Sequence, residues 1–139
     1  MFLGTGFGKN LDILHRTLDA TTLRHSVLAN NIANADTPNF KRTVVNFESA
    51  LGDALASERP PRFEAARSNP RHIPFHKKVS YTDVRPRRVL DFLTETKNNG
   101  NNVDIEEESM NLLNNQMMYQ FMSRSVADQF SRMNIVLRG

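Results

Sequence analysis

Every proline of this chain lies between Pro38 and Pro86, and that distribution constrains the fold most. A proline ring fixes φ, removes an N–H donor and pushes the preceding residue out of the helical region. The chain of 139 residues therefore has two ends free to form long helices. Its middle, with Pro60, Pro61, Pro70, Pro74 and Pro86, cannot. The resulting fold class is mainly α, with long N- and C-terminal helices paired as a coiled coil. Between them lies an extended middle segment with room for a short β-hairpin.

The spacing predicts the N-terminal helix over residues 10–34. Leu11, Leu14, Leu18, Thr21, His25, Leu28 and Ile32 recur at steps of three and four, the heptad seam of a coiled coil. The helix meets a stop in Ala29-Asn30-Asn31-Ile32-Ala33-Asn34-Ala35-Asp36-Thr37-Pro38-Asn39-Phe40. Asp36 and Thr37 offer side-chain bonds to nearby backbone, and Pro38 ends the helical conformation. Asn30, Asn31 and Asn34 carry donors and acceptors on several faces, suited to tying a turn to its own backbone or to a packed neighbour.

A C-terminal helix is predicted over 105–137. Asp104 is placed as its N-cap, with Glu107 three residues on as in a capping box, and Glu106–Glu108 suit the positive helix end. Its seam reads Ile105, Ser109, Leu112, Gln116, Tyr119, Ser123, Val126, Phe130, Met133 and Leu137. A second apolar stripe, including Leu113, Met117, Met118, Phe121 and Ala127, suits a neighbouring subunit. These assignments divide the chain into a flexible, glycine-containing start (1–9), an N-terminal coiled-coil segment (10–36), an insertion (37–102) and a C-terminal coiled-coil segment (103–139). Within the insertion, Asn46 is placed as the cap of a short helix whose apolar face is Phe47, Ala50, Leu51, Ala54 and Leu55. Residues 78–84 and 88–93 are candidate strands, and Asn98–Asn102 is a turn.

Composition narrows the function. Hydrophobic residues make up only 39%, so a monomer buries a modest core and neighbouring subunits can supply the rest. There is no cysteine, which excludes disulfides and thiolate metal sites. No apolar run is long enough for a transmembrane helix, so no membrane insertion is expected. No Sec-type signal lines up at the start. His72 and His76 have metal-pair spacing, but Pro74 removes the helix they would need. No phosphate loop, nucleophile triad or carboxylate pair is visible, so an enzyme, a metal or a cofactor is not expected. The basic, aromatic-bearing stretch from Arg59 to Arg88 leaves nucleic-acid binding as a distant alternative, without a recognisable binding motif beside it.

The Ala29–Phe40 run resembles the A-N-N-I-A-N-x-x-T-P-x-Y/F signature of bacterial flagellar rod and hook proteins. Gly100-Asn101-Asn102-Val103-Asp104-Ile105-Glu106-Glu107-Glu108 is similar to the G-N-x-V-D-x-x-x-E pattern of their short members. Phe47-Glu48 and Ala50-Leu51 look like the continuation in proximal rod subunits. Asn39 stands where many relatives have glycine, and asparagine tolerates the same left-handed backbone. The resemblance implies a structural subunit of the proximal rod, the drive shaft of the flagellar basal body, self-assembling through its terminal helices and transmitting torque. The alternatives are an FlgC-type subunit or an export and assembly adaptor. The implied partners are other copies, rod proteins of the FlgC, FlgF and FlgG type, an FliE-type adaptor with the membrane ring, and the flagellar type III export apparatus. The implied location is the basal-body rod across the periplasm, reached without a cleaved signal peptide.

Overall fold

The computed structural model describes residues 5–59, 68–69, 71–73, 77–94 and 97–138. Three helices, a 3-10 turn and a two-stranded sheet are arranged as α1 (Gly6–Ala33), β1 (Thr43–Asn46), α2 (Glu48–Ser57), the 3-10 turn (Tyr81–Asp83), β2 (Arg87–Leu90) and α3 (Ile105–Arg138). The chain divides into two compact units. One joins residues 1–45 to 88–139 and the other is 46–87, a narrower insertion than residues 37–102.

In the first unit α1 packs against α3. Asn31 bonds to Glu108, while Asn115 bonds to the Thr21 carbonyl. Those contacts run in opposite order along the two helices, so the pair is antiparallel. α1 starts at Gly6 rather than residue 10, because the Thr5 hydroxyl accepts from the Gly8 N–H at 3.2 Å and caps the first turn. No helix among the described residues is long and apolar enough to cross a membrane.

The seam is heptad-like, but half of it sits one residue earlier than the apolar pattern indicates. On α1, Leu28 is buried and Leu11, Leu14, Leu18 and Ile32 are half-buried, while His25 is exposed. The innermost positions are Ala20, Thr21, Val27, Leu28 and Asn31. On α3, Leu112, Val126 and Met133 are half-buried, whereas Ile105, Tyr119, Phe130 and Leu137 are exposed, Phe130 by 46%. The inward positions beside Leu112, Val126 and Met133 are Glu108, Asn115, Met122 and Gln129. Polar side chains hold the interior places because they are hydrogen-bonded there, and the aromatic residues are displaced outward.

Unit two is small. Among the described residues, Phe47, Leu51, Ala54 and Val84 are its buried apolar residues, with Leu55 half-buried and Ala50 exposed. α2 lacks the expected asparagine cap. Phe47 occupies the cap position without a side-chain bond, and Asn46 Oδ1 instead accepts from the Ser49 hydroxyl at 2.6 Å. Ser57 Oγ accepts from the Val79 N–H at 3.0 Å, and its hydroxyl has the carbonyls of Ala54 and Val79 within reach at 2.7 and 3.1 Å, so the end of α2 is tied to residue 79. Residues 81–83 form the 3-10 turn in place of a strand. Much of the basic, proline-rich stretch, including Arg62, Phe63, Arg67, Pro74, Phe75 and His76, lies outside the described residues.

The hairpin partners also differ. β2 pairs antiparallel with β1, about forty residues away along the chain, and the Asp91 N–H extends the ladder to the Arg42 carbonyl at 2.9 Å. Thr43, Val44 and Val45 are β-branched and suit a pleated strand. The turn that returns the chain to α3 contains Gly100 at φ +76, against Asn39 at φ +58. A Cβ at Gly100 would lie 2.8 Å from Asn39 Oδ1. Gly100→Ala is expected to destabilise the fold by about 1–2 kcal/mol, chiefly through the left-handed backbone, measurable by chemical denaturation.

Candidate functional site

The two motifs, separated by some sixty residues, meet at one end of the helix pair. Asn34 closes α1, and its N–H reaches the Asn30 carbonyl at 3.2 Å. The Asn34 side chain also donates to the Asn30 carbonyl, at 2.8 Å. The chain then turns through Ala35, Asp36, Thr37, Pro38 and Asn39 to Phe40. Opposite this turn stands Asn101, completely buried. Its Nδ2 donates to the carbonyls of Asn34, Ala35 and Thr37 at 3.0, 2.9 and 2.8 Å, and its Oδ1 accepts from the Val103 N–H at 2.7 Å. One amide thus satisfies the carbonyl of the cap residue and two carbonyls of the turn beyond it. The Asn39 N–H reaches the Asn99 carbonyl at 3.0 Å, and Lys97 Nζ donates to the Ala35 carbonyl at 2.8 Å.

A second layer lies one turn further along α1. Asn31 is fully buried, unlike Ala29, Asn30 and Ala33, which are exposed, and Ile32, which is half-buried. Its amide pairs with Thr43 as a strand would. Oδ1 accepts from the Thr43 N–H at 3.0 Å and Nδ2 donates to the Thr43 carbonyl at 2.8 Å. Nδ2 also donates to Glu108 Oε2 at 2.9 Å. Asn102 repeats the device: its Oδ1 accepts from the Arg42 N–H at 2.6 Å and its Nδ2 donates to the Asp91 carbonyl at 2.7 Å. Asparagine is suited to this work because its amide presents a donor and an acceptor side by side, as the peptide group does.

Charge gathers around Arg42. Its Nη1 donates to Glu107 Oε1 at 3.0 Å and lies 3.5 Å from Glu108 Oε1, while Nε lies 3.6 Å from Asp91 Oδ2. Burial opposes the guanidinium charge, but the Glu107 hydrogen bond and the charges of Glu107, Glu108 and Asp91 outweigh it and raise its pKa. Glu108 is 1% exposed, so its carboxylate is held by Asn31 and Arg42 rather than by water. Asp104 Oδ1 accepts from the N–H groups of Glu106 and Glu107 at 2.9 and 3.4 Å. The Glu107 carboxylate turns to Arg42 and does not close a capping box. The Asp36–Lys97 pair is solvated at its carboxylate and contributes little.

Nothing in this layer is arranged as a nucleophile with its base. No group of three or more His, Cys, Asp or Glu side chains among the described residues could hold a metal ion. What the geometry does is fasten α1, β1, the returning turn and α3 together. Asn101, Asn102, Arg42, Thr43 and Asn115 carry much of that fastening; the last three were not singled out from the sequence, and the first two were read only as part of a motif and a turn. The signal for the first two was the N-N pair inside the Gly100–Glu108 run.

A profile of the family described as Flagella basal body rod protein matches residues 11–41, the helix and turn at the centre of this fastening. The chain is 46% identical to the flagellar basal body rod protein FlgB of Borrelia hermsii over 132 residues, 95% of this chain and 98% of that protein. Identity to the FlgB of Bacillus subtilis is 33% over 96% of each chain. For the FlgB of Escherichia coli strain K12 it is 29% over 87% of each. The chain belongs to the FlgB family of flagellar basal body rod proteins. A member of the FlgB family is a structural subunit of the rod, located in the flagellar basal body, and not an enzyme. Its assembly involves other rod and basal-body components.

Two expectations follow for this FlgB-family chain. Asn31→Ala leaves the Thr43 N–H and carbonyl and the Glu108 carboxylate short of partners, at about 1–3 kcal/mol per unmet buried group. A fall in unfolding free energy of at least one such increment is expected in urea titration. Asp91 accepts from the Thr94 hydroxyl at 2.9 Å and from the N–H groups of Leu93 and Thr94 at 3.1 and 3.3 Å. The Thr94 hydroxyl bond above all, then the two N–H bonds and Arg42, depress its carboxyl pKa below 3.8. A carboxyl with a depressed folded pKa adds stability above its unfolded value and loses it as pH falls through the folded one. The stability gap between the parent and D91N should therefore close as pH falls below about 4, followed by acid titration of the unfolding midpoint.

Proposed function

We propose that the chain is a subunit of the proximal rod which self-assembles through its terminal helices and carries torque along the shaft. Residues 10–36 and 103–139 are its assembling segments, and the seam residues from Leu11 to Ile32 and from Ile105 to Leu137 act in subunit packing as well as within the protomer. The observation that carries this reading is the outer face of α3. Met110, Leu113, Met117 and Phe121 recur at steps of three and four and are all more than half exposed, Phe121 by 69%. A row of apolar side chains left in water along a rigid helix marks a surface that another protein covers. Contacts between unlike faces generate an open helical series, which is what a shaft requires.

The proposed partners are further copies, rod proteins of the FlgC, FlgF and FlgG type, and an FliE-type adaptor at the membrane ring. Passage to the periplasm is assigned to the flagellar type III apparatus without cleavage of a signal peptide. Deletion of the chain should abolish swimming and leave basal bodies with a membrane ring but no rod, seen by electron microscopy. Normal basal bodies and swimming would overturn the proposal. Phe121→Glu should shift unfolding free energy by no more than about 0.5 kcal/mol, since the site is solvated in the protomer. The same variant should nevertheless abolish motility.

A further inference from the structure

The sequence holds one Asn-Gly pair, Asn99–Gly100, in the turn that returns the chain to α3. Asparagine is chemically labile, and most so before glycine, which has no Cβ to keep its nitrogen from the preceding side chain. The fold cannot spare this glycine. Gly100 sits at φ +76, and a Cβ there would lie 2.8 Å from Asn39 Oδ1. The backbone that the turn requires therefore creates the reactive pair. Asn99 is exposed, whereas Asn31, Asn101, Asn102 and Asn115 are buried and precede larger residues.

The reaction joins neighbouring atoms. The Gly100 nitrogen gives its proton to hydroxide and forms a bond to Asn99 Cγ, the Cγ–Nδ2 bond breaks, and ammonia leaves. Water then opens the cyclic imide at one of its two carbonyls. The product is aspartate, or its isomer in which the main chain runs through Cβ. In the folded chain these atoms are engaged elsewhere. The Gly100 N–H donates to the Lys97 carbonyl at 3.1 Å, and Asn99 Oδ1 accepts from the Asn101 N–H at 3.1 Å. The Lys97 N–H to the Asn101 carbonyl, at 3.1 Å, and the Asn39 N–H to the Asn99 carbonyl, at 3.0 Å, hold the turn from both sides. Removing the Gly100 proton ends the first bond, and drawing Cγ onto the nitrogen turns the side chain that makes the second. We propose that Asn99–Gly100 is a deamidation site held inactive by the hydrogen bonds of its own turn, so that Asn99 is converted only in chains whose turn has opened. The isomer lengthens the main chain by one carbon immediately before Gly100 and Asn101. A converted chain thus loses the alignment of the Asn101 amide on the carbonyls of Asn34, Ala35 and Thr37.

The test incubates the full chain in mildly alkaline buffer, with and without enough guanidinium chloride to unfold it. Peptide mass spectrometry locates the amide-to-acid conversion, and labelling by a protein isoaspartyl methyltransferase counts the isomer. Conversion at Asn99 is expected in the unfolded chain and at least about tenfold more slowly in the folded one, because only locally opened molecules react. Asn101→Ala frees the turn and should raise the folded rate. If circular dichroism shows that this variant does not fold, Lys97→Ala takes its place, since it removes the Nζ bond to the Ala35 carbonyl at the edge of the same layer. Equal rates with and without denaturant would overturn the protection. No conversion at Asn99 in the unfolded chain would overturn the site, as would undiminished product from Asn99→Gln, whose longer side chain closes an imide far more slowly. An unchanged rate in the folded variant would overturn the part assigned to the layer around Asn101. None of these outcomes bears on the rod reading, which stands or falls separately.

Discussion

The bond from the Asn31 amide to the Thr43 backbone and to Glu108 is the contact on which the rest of the helical unit depends. It joins three segments that the chain keeps far apart: the end of α1, the start of β1 and the first turn of α3. An apolar residue in its place would let the helices touch but would not say where. A polar residue at a seam position specifies register, because sliding either helix leaves buried groups unmatched. Asn115 bonded to Thr21 adds a second index mark further along the same seam. The two marks admit one alignment of the pair.

Above that alignment sits a layer of loops that would otherwise have little reason to order. The apolar side chains buried beside the turn after α1 and the turn before α3, Ala35 and Val103, are small. Carbonyls of the first turn are met by Asn101, and the chain beside the two strands, at Arg42 and Asp91, by Asn102, both of them buried. Gly100 and Asn39, both left-handed, bring the two turns close enough for this to happen. Family signatures that read as unrelated strings are thus the two halves of one fastening.

The sequence made the helices legible because proline placement is a local signal, while Gly6 and Gly8 led to a later expected start for α1 than the structure shows. It was a poorer guide to the seam. Hydrophobic periodicity counts Asn31, Glu108 and Asn115 as outward positions, so the pattern drifted to Ile32, Ser109 and Gln116, one place later. The same bias assigned Tyr119 and Phe130 to the interior, when their exposure belongs to the unpartnered outer surface. The β1–β2 pairing was hidden for another reason. A strand of four residues has little periodicity to display, and its partner lies beyond an inserted unit. The asparagine cap of α2 was read from local propensity, yet Asn46 spends its side chain on the Ser49 hydroxyl instead.

The chemistry of the Asn101 clasp has one further consequence. A carboxamide carries no net charge and gains or loses no proton across the range in which proteins stay folded, and added salt does little to a contact between neutral dipoles. The surrounding ionic contacts of Arg42 are open to salt, and the one with Asp91 to acid as well. The fold therefore has a neutral hinge-pin inside a charged collar. As the medium grows acidic or saline, the collar loosens first, while the three carbonyls of the turn keep their grip on Asn101.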